Sequence, residues 1–220
     1  MSGNLMIRLN LKELVLFVLL IVTLISLCIA LTINFHPLYT YFVYHQNLGP
    51  KAGISNHQLL LDYRRLLAYL NYPFVSDLKL GLPVSFSAMH HFKEVKALFL
   101  KDYLVLIVGL PISGYWLRKL WLQGRFFVLI RGCYYTIATA IVLLTIMVAN
   151  FADFFVFFHE LLFNNQDWLF DPKLDPIINA LPASYFLACF SLFLILFVFS
   201  LVVLILLAKW QLKNYKFQQK

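Results

Sequence analysis

Two histidine-containing stretches hold the residues of this sequence that are best suited to chemistry. The first, MHHFKEV, contains His90, His91 and Glu94, and the second, FHELLF, contains His159 and Glu160. An imidazole has an ordinary pKa of about 6.5, so it can accept and return a proton near neutral pH. A neighbouring carboxylate can hold the ring in one tautomer. The two stretches therefore predict general acid–base chemistry, provided that the fold brings them together.

Other kinds of catalytic site have less support. HELLF begins like the zinc-binding pattern H-E-x-x-H, but Phe163 occupies the position of the second histidine. A zinc ion would have to recruit His91 and a carboxylate from elsewhere in the chain. No G-x-S-x-G motif surrounds a serine, and the cysteines, Cys28, Cys133 and Cys189, lie within apolar stretches. We therefore predict no metal and no cofactor.

The residues alone also leave room for a protein without catalytic activity. An isolated histidine near the end of a membrane span can simply hydrogen-bond the backbone and reach toward water. A second interpretation is therefore a non-enzymatic membrane sensor or interaction protein, whose extracellular histidines respond to pH. Two histidines, each with a nearby glutamate, favour the enzyme without deciding between the two.

Membrane helices are the elements that must position these histidines. The chain has 220 residues, of which 62% are hydrophobic and 13% charged, with a mean hydropathy of +0.80, which is too apolar for a water-soluble globule. A helix needs about 20 mostly apolar residues to cross the bilayer. Four stretches qualify, at 14–33, 97–117, 132–152 and 184–208. We predict an all-α membrane protein, a single membrane domain over 1–220 with four transmembrane helices.

The second predicted span differs from the other three. Lys101 and Asp102 lie in its outer turn, and Pro111 interrupts it together with nearby glycines. Proline removes a helical hydrogen bond and clashes with the preceding turn. We therefore expect this span to be kinked.

The basic residues predict the orientation of the spans, because loops rich in Lys and Arg stay in the cytoplasm. Ten of the 18 basic residues fall in the N-terminus, the loop after the second span and the C-terminal tail. Both termini are therefore predicted to be cytoplasmic, and the segments 34–96 and 153–182, which contain all six histidines, to be extracellular. The net charge of +8 follows from this topology, so it does not indicate nucleic-acid binding.

The stretch NHQLLLDYRRLLAYLNYP in the first extracellular segment predicts an amphipathic helix. Its apolar face holds Leu59, Tyr63, Leu66, Leu67 and Leu70, and its polar face holds Gln58, Asp62, Arg64 and Arg65. Asn56 is the expected N-cap and Pro73 the expected stop. Such a helix either lies in the headgroup plane or packs on the spans. The two arginines either hold lipid phosphate or substrate carbonyl groups, or face water.

The helix that contains His91 is predicted to start at Ser87 and to continue into the second span. On this helix His91, Val95 and Leu98 share a face, whereas His90 points about 100° away. Only one of the two adjacent histidines can therefore point at a given site, and Glu94 is expected to accept the imidazole proton of His91.

MHHFKEVKALF and FHELLFNNQDWLFDPKLDPIINALPASYF together resemble the bacterial lipoprotein intramolecular transacylase family, a family of four-span membrane enzymes. The resemblance extends from about Ser85 to Phe186. It implies an acyltransferase of the bacterial plasma membrane with its active site on the extracellular side. The enzyme would move the sn-2 acyl chain of a diacylated lipoprotein to the α-amine of its N-terminal cysteine, giving the lyso form. Its partners would be this lipoprotein and membrane lipid, with no nucleic acid.

The two histidines that the family implicates carry over to His91 and His159. His91 is preferred to His90 because H-F-K-E-V reproduces the family's spacing to an acid–valine pair, although Phe92 and Glu94 stand where Met and Asp are expected. His91 is the candidate base. The oxyanion would be stabilised by His159 or by the donors Asn164, Asn165 and Trp168. Glu94 and Glu160 would orient the imidazoles, and the division of roles between the two histidines stays open.

Overall fold

The protein is described by a computed structural model that covers residues 10–218, with side chains as far as Asn214. In that range the chain forms nine α-helices and no strand, so the all-α prediction is confirmed. The long helices are α1 (Leu11–Ile33), α5 (Phe86–Leu122), α6 (Leu129–Ala149) and α9 (Ala183–Gln218). The short ones are α2 (His36–His45), α3 (Leu48–Lys51), α4 (Asn56–Asn71), α7 (Phe151–Leu162) and α8 (Ile177–Ala180).

Three stretches among the described residues are long and apolar enough to cross a membrane, namely Leu11–Ile33, Phe126–Ala149 and Ala183–Asn214. They match three of the four predicted spans. Helix α5 is not among them, so the second predicted span, at 97–117, is not confirmed. Its uncharged part lies between Asp102 and Arg118, a length of about 22 Å in a helix, which is shorter than the roughly 30 Å of a hydrocarbon core. The helix continues through Pro111, and the expected kink stays a prediction.

The chain divides into two compact units, each assembled from separated stretches. Among the described residues, one unit combines 10–28 with Leu104–Thr145 and 194–218. The other combines Ile29–Tyr103 with Ile146–Phe193, and it contains all six histidines. We call it the histidine unit.

In the first unit, α1 and α5 approach each other closely at Gly109. A side chain at Gly109 would collide with Thr23 of α1. The Thr23 hydroxyl donates to the carbonyl oxygen of Leu19 and lies 3.3 Å from the Ser113 hydroxyl. Because Gly109 has no side chain, α1 and α5 can approach each other this closely. Elsewhere in this unit, Arg125 donates a hydrogen bond to the buried Glu13 at 2.7 Å.

In the histidine unit, α4 is the predicted amphipathic helix. Its apolar face is buried inside the protein, and the Tyr63 hydroxyl lies 3.0 Å from that of Tyr185 on α9. This supports packing on the spans over the headgroup alternative. The N-cap is Ser55, which accepts from the Gln58 amide, and not the predicted Asn56, whose side chain accepts from the Gly49 amide. The helix ends at Asn71, close to the predicted stop.

Asp62, which the sequence assigns to the polar face of α4, does not face water. Its side chain is fully buried and accepts hydrogen bonds from the Gly81 amide at 2.8 Å, from Gln58 at 3.0 Å and from Arg65 at 3.1 Å. A buried carboxylate is stable only with such partners. Asp62 therefore connects the loop after α4 to the helix. Arg65 donates to this carboxylate although its side chain is 53% exposed, and Arg64 is exposed as well.

Candidate active site

Helix α5, which presents His91, is anchored at its N-terminus. Ser85 is the N-cap, because its hydroxyl accepts from the Ala88 amide at 3.1 Å, so the predicted cap at Ser87 is wrong by two residues. The Ser85 amide and hydroxyl in turn donate to the buried carboxylate of Asp175, at 2.6 and 2.8 Å. This contact joins the start of α5 to the segment between α7 and α9.

His159 lies on α7 and not at the end of the third span. The break falls at Asn150, which caps α7 by accepting from the Asp153 amide. An asparagine side chain can replace the missing helical hydrogen bond at a new helix start, and this explains why the predicted span, drawn to Ala152, is too long. His159 therefore belongs to a separate helix that begins after the break.

The structure brings His91 and His159 together. Their ring centroids are 5.9 Å apart. Phe163, one turn after His159 in the sequence, lies 4.7 Å from the His91 ring, and Trp168 stacks on the His159 ring at 4.8 Å. Phe170 contacts His91 at 5.7 Å. Aromatic rings thus surround both imidazoles, of which His91 is buried and His159 is half-buried.

The hydrogen bonds of the two rings differ. The Nδ1 atom of His159 lies 2.8 Å from the carbonyl oxygen of Phe155. Because a carbonyl can only accept, we assign the proton to Nδ1, and Nε2 of neutral His159 is then an unprotonated acceptor. His91 is buried and its Nδ1 has no partner. We place its ring proton on Nε2, since a proton on Nδ1 would find no acceptor.

Both histidines, which lie outside the predicted spans, have lowered pKa values. Burial lowers the pKa of His91 to about 4, and the nearby His159 and His90 act in the same direction while Asp167 opposes them. Burial also lowers the pKa of His159, partly offset by its bond to Phe155. A desolvated imidazole disfavours its charged form. Both rings are therefore neutral at neutral pH.

The two imidazoles form part of the wall of a cavity of about 520 Å³. Its other lining residues are mostly leucines, isoleucines and phenylalanines. They come from α1, α4, α5, α7, α8, α9 and the loop after α7, and all of them belong to the histidine unit. Val95 and Leu98 line it as well, in agreement with the face predicted for α5. An apolar cavity of this size with a few polar groups is typical of a binding site for a small apolar ligand.

Glu94 does not accept the proton of His91, contrary to expectation. Its carboxylate accepts from the Asn165 amide group, at 2.9 and 3.1 Å, and lies 4.0 Å from Nδ1 of His90. Residues four apart on a helix face each other, so Glu94 lies beside His90. His90 itself is exposed and lies 2.7 Å from the Asp167 carboxylate. His91 and not His90 thus faces the cavity.

Of the other predicted site residues, some line the cavity and others do not. Trp168 lines the cavity, but its indole N–H donates to the Asn165 carbonyl at 3.1 Å. Asn164 and Glu160 are exposed and do not line the cavity. Sequence reasoning missed Asp167, Phe170 and Asp175. Helical spacing from His159 would have drawn attention to Phe163.

The described residues contain no candidate metal site. Within that part of the chain, no group of three His, Cys, Asp or Glu side chains is placed to hold an ion.

The chain is similar to a known family and to solved structures. A family model described as lipoprotein intramolecular transacylase Lit matches residues 14–186. The membrane-integral transacylase Lit from Bacillus cereus superposes with a TM-score of 0.87 at 27% identity, covering 93% of this chain and 95% of that one. Variants of that enzyme with one histidine replaced by arginine or by alanine give TM-scores of 0.78, cover 93% of this chain and 92% and 93% of theirs, and have the same identity. No curated protein matches the chain.

Proposed function

Because the chain belongs to the lipoprotein intramolecular transacylase family, we propose that it moves the sn-2 acyl chain of a diacylglyceryl lipoprotein to the α-amine of the lipoprotein's N-terminal cysteine. The product is the lyso form. The observation that carries this proposal is the approach of His91 and His159, with 5.9 Å between ring centroids, in the wall of an apolar cavity. The family assignment makes the chain an enzyme and so removes support from the sensor interpretation.

His159 is the general base. An α-amine has a pKa of about 7.7 to 8.0, so much of it is ammonium at neutral pH and must lose a proton before it attacks an ester. This first proton leaves to solvent. As the neutral amine forms the C–N bond, Nε2 of neutral His159 accepts its second proton, because Nδ1 is held by Phe155. The lowered pKa keeps the ring unprotonated before substrate arrives. This assignment revises the expectation that His91 is the base.

His91 supplies the donor for the oxyanion. When the amine attacks, the carbonyl oxygen of the ester becomes negatively charged, and a preorganised N–H aimed at it lowers the barrier. Nε2–H of His91 can serve this purpose, whereas the donor groups of Asn165 and Trp168 already bond to Glu94 and to a backbone carbonyl. The imidazolium of His159 then returns its proton to the departing glyceryl oxygen.

The reaction needs no covalent intermediate on the enzyme. Donor ester and acceptor amine belong to one substrate molecule, and holding the two in contact can contribute about 7 to 11 kcal/mol to the lowering of the barrier. This agrees with the lack of a nucleophile motif in the sequence. The apolar cavity provides space for an acyl chain while the two imidazoles handle the polar end of the substrate.

The topology that goes with this function is that of a single four-span domain in the bacterial plasma membrane. Both termini lie in the cytoplasm, and the segments 34–96 and 153–182, with the active site, lie on the extracellular side. The concentration of basic residues in the remaining loops supports this arrangement. The lipoprotein reaches the site by lateral diffusion in the outer leaflet.

The test is an assay on purified protein with a synthetic diacylated lipopeptide. Mass spectrometry of the product should show an N-acyl, monoacylglyceryl peptide of unchanged mass, and fragmentation locates the transferred chain on the amine. His91→Gln and His159→Gln should abolish or strongly reduce this product. Full activity of either variant would reject the assignment of that histidine.

His57→Gln is the matched control. His57 lies in the same unit at the start of α4, is exposed, and does not line the cavity. It should behave like the wild type in the assay. Wild-type protein that leaves the lipopeptide unchanged would reject the proposed function.

A further inference from the structure

Four polar side chains beside the histidine pair form a network that the proposed reaction does not use. His90 lies 2.7 Å from Asp167 and 4.0 Å from Glu94, and the Asn165 amide donates to Glu94. We call these four residues the rim network. It joins helix α5 to the segment that follows α7, and its members are partly exposed.

The two carboxylates of the rim network have capacity to bind a cation. Among the ion pairs of the described residues, neither Glu94 nor Asp167 pairs with a lysine or arginine, whereas Glu13 and Asp62 each pair with an arginine. About 30% of the Glu94 side chain and 32% of the Asp167 side chain is exposed. Each carboxylate offers about four acceptor positions, and the known contacts fill only some of them.

The rim network is adjacent to both histidines of the site. His90 precedes His91 on α5, and Trp168, which follows Asp167, stacks on His159. Asp167 is close enough to act electrostatically on His91. His91, which follows His90 on α5, is 8% exposed, yet its Nδ1 has no hydrogen-bond partner among the described residues. A polar group buried without a partner is costly unless a ligand supplies one.

We propose that the rim network binds the α-ammonium group of the substrate's N-terminal cysteine through Glu94 and Asp167. The inference rests on the proposed function, which brings a positively charged amine next to His91 and His159. The four residues of the network lie outside the lining of the cavity, which is mostly apolar and offers no carboxylate to this charge. Two carboxylates without a lysine or arginine partner are the complementary groups, and Asn165 holds Glu94 in position.

In the reaction the ammonium donates hydrogen bonds to the two carboxylates and releases one proton to solvent. The neutral amine then forms the new C–N bond and gives a second proton to Nε2 of His159, the glyceryl C–O bond breaks, and the glyceryl oxygen takes that second proton from His159. Because the carboxylates stabilise the ammonium form, they raise the pKa of the bound amine. The network therefore favours binding of the amine and orients it, at some cost to its deprotonation.

The test uses two inert lipopeptides in which ether bonds replace both esters, one with a free α-amine and one with this amine acetylated. Neither can transfer a chain, so binding is measured alone, by calorimetry in detergent. The wild type should bind the free amine more tightly than the acetylated form. Glu94→Gln and Asp167→Asn should each weaken binding of the free amine by about three- to tenfold and leave the acetylated form unchanged.

Asp171→Asn is the charge-matched control, because Asp171 lies in the same segment, is exposed and is not part of the rim network. It should keep the preference of the wild type. Equal binding of the two analogues by the wild type, or an equal loss for both analogues in the variants, would overturn the ammonium site. Acyl transfer to the ester lipopeptide by the same wild-type preparation tests the proposed function separately.

A kinetic measurement distinguishes binding from a structural role. With the ester substrate, Glu94→Gln and Asp167→Asn should raise KM and move the rise of kcat with pH to lower pH, because the bound amine loses its proton more readily. Unchanged pH profiles together with a lower kcat would point to a structural role and contradict the proposal.

Discussion

The imidazole rings of His91 and His159 lie 5.9 Å apart, although one belongs to α5 and the other to α7. Their protons are placed differently, because His159 donates from Nδ1 to a backbone carbonyl and Nδ1 of His91 has no partner. Two neutral imidazoles in opposite tautomers offer an acceptor and a donor to one ligand. This difference leads to unequal expectations for the two histidines.

Replacement of the two histidines should affect the rate to different extents. His159→Gln removes the only proposed base, and loss of a general base typically costs about 10²- to 10⁴-fold in rate. His91→Gln keeps an N–H donor and should cost less than His91→Ala, which removes it and should lose about 10²- to 10³-fold. Single-turnover transfer rates on a diacyl lipopeptide measure this order. The reverse order, with His91→Gln the most damaging variant, would exchange the two roles.

The stability of the protein should fall on acidification because of His91. In the unfolded chain its imidazole titrates near the ordinary value of about 6.5, whereas burial lowers the folded pKa to about 4. Above about pH 6.5 both states are neutral and the stability is full. As the pH falls from there to about 4, the unfolded state binds a proton that the folded state does not, and the free energy of unfolding drops by about 3 kcal/mol.

The apparent melting temperature in detergent, measured at several pH values, checks this expectation. The wild type should lose stability between about pH 6.5 and about pH 4. His91→Gln should show a shallower loss over the same interval, because glutamine does not titrate, while His57→Gln should follow the wild type. Parallel curves for the wild type and His91→Gln would contradict the buried neutral state of His91.

Much of the fold follows from the sequence because its signals are local. Apolar length gives α1, α6 and α9, and the 3.6-residue period gives α4 with its buried face. The cap positions were wrong at Asn56 and Ser87, since several polar residues in succession can serve as N-cap and only the chain direction before the helix selects one. The break between α6 and α7 at Asn150 was not predicted for a related reason, because the sequence stays apolar on both sides of it.

The site was less predictable because it depends on contacts between distant segments. Sequence reasoning found His91 and His159 as a pair, and helical geometry correctly turned His90 away from His91. It could not assign Glu94 and Trp168 their partners, because Asn165 reaches both from a loop that has no periodic pattern. Nothing in the sequence marked Asp62 or Asp175 as a buried carboxylate, and only the folded chain shows the donors that surround each of them.

Asp175 should be needed to position His91. Its buried carboxylate accepts from the amide and the hydroxyl of Ser85 at the start of α5. Hydrogen bonds to a charged group contribute about 1.5 to 3 kcal/mol, so Asp175→Asn should lower both the melting temperature and kcat. Ser85→Ala removes the cap and should lower stability by about 0.5 to 2 kcal/mol.

The measurement for Asp175 is thermal unfolding in detergent combined with the lipopeptide assay. Asp171→Asn is again the control, since it removes a negative charge from the same segment at an exposed position. A kcat of Asp175→Asn equal to that of the wild type, despite a lower melting temperature, would limit Asp175 to stability.

Asp62 should contribute to stability without taking part in catalysis. Its carboxylate accepts from Gly81, Gln58 and Arg65. Asp62→Asn places an amide group against one of these donors, so a buried N–H loses its acceptor, which typically costs about 1 to 3 kcal/mol. The melting temperature in detergent should fall, while kcat at a temperature well below the transition should stay near that of the wild type. Gly81→Ala tests the same contact from the other side, because a Cβ there would lie 3.1 Å from the Asp62 carboxylate and should destabilise the protein in the same way. Unchanged melting of both variants would show that the loop is held by other contacts.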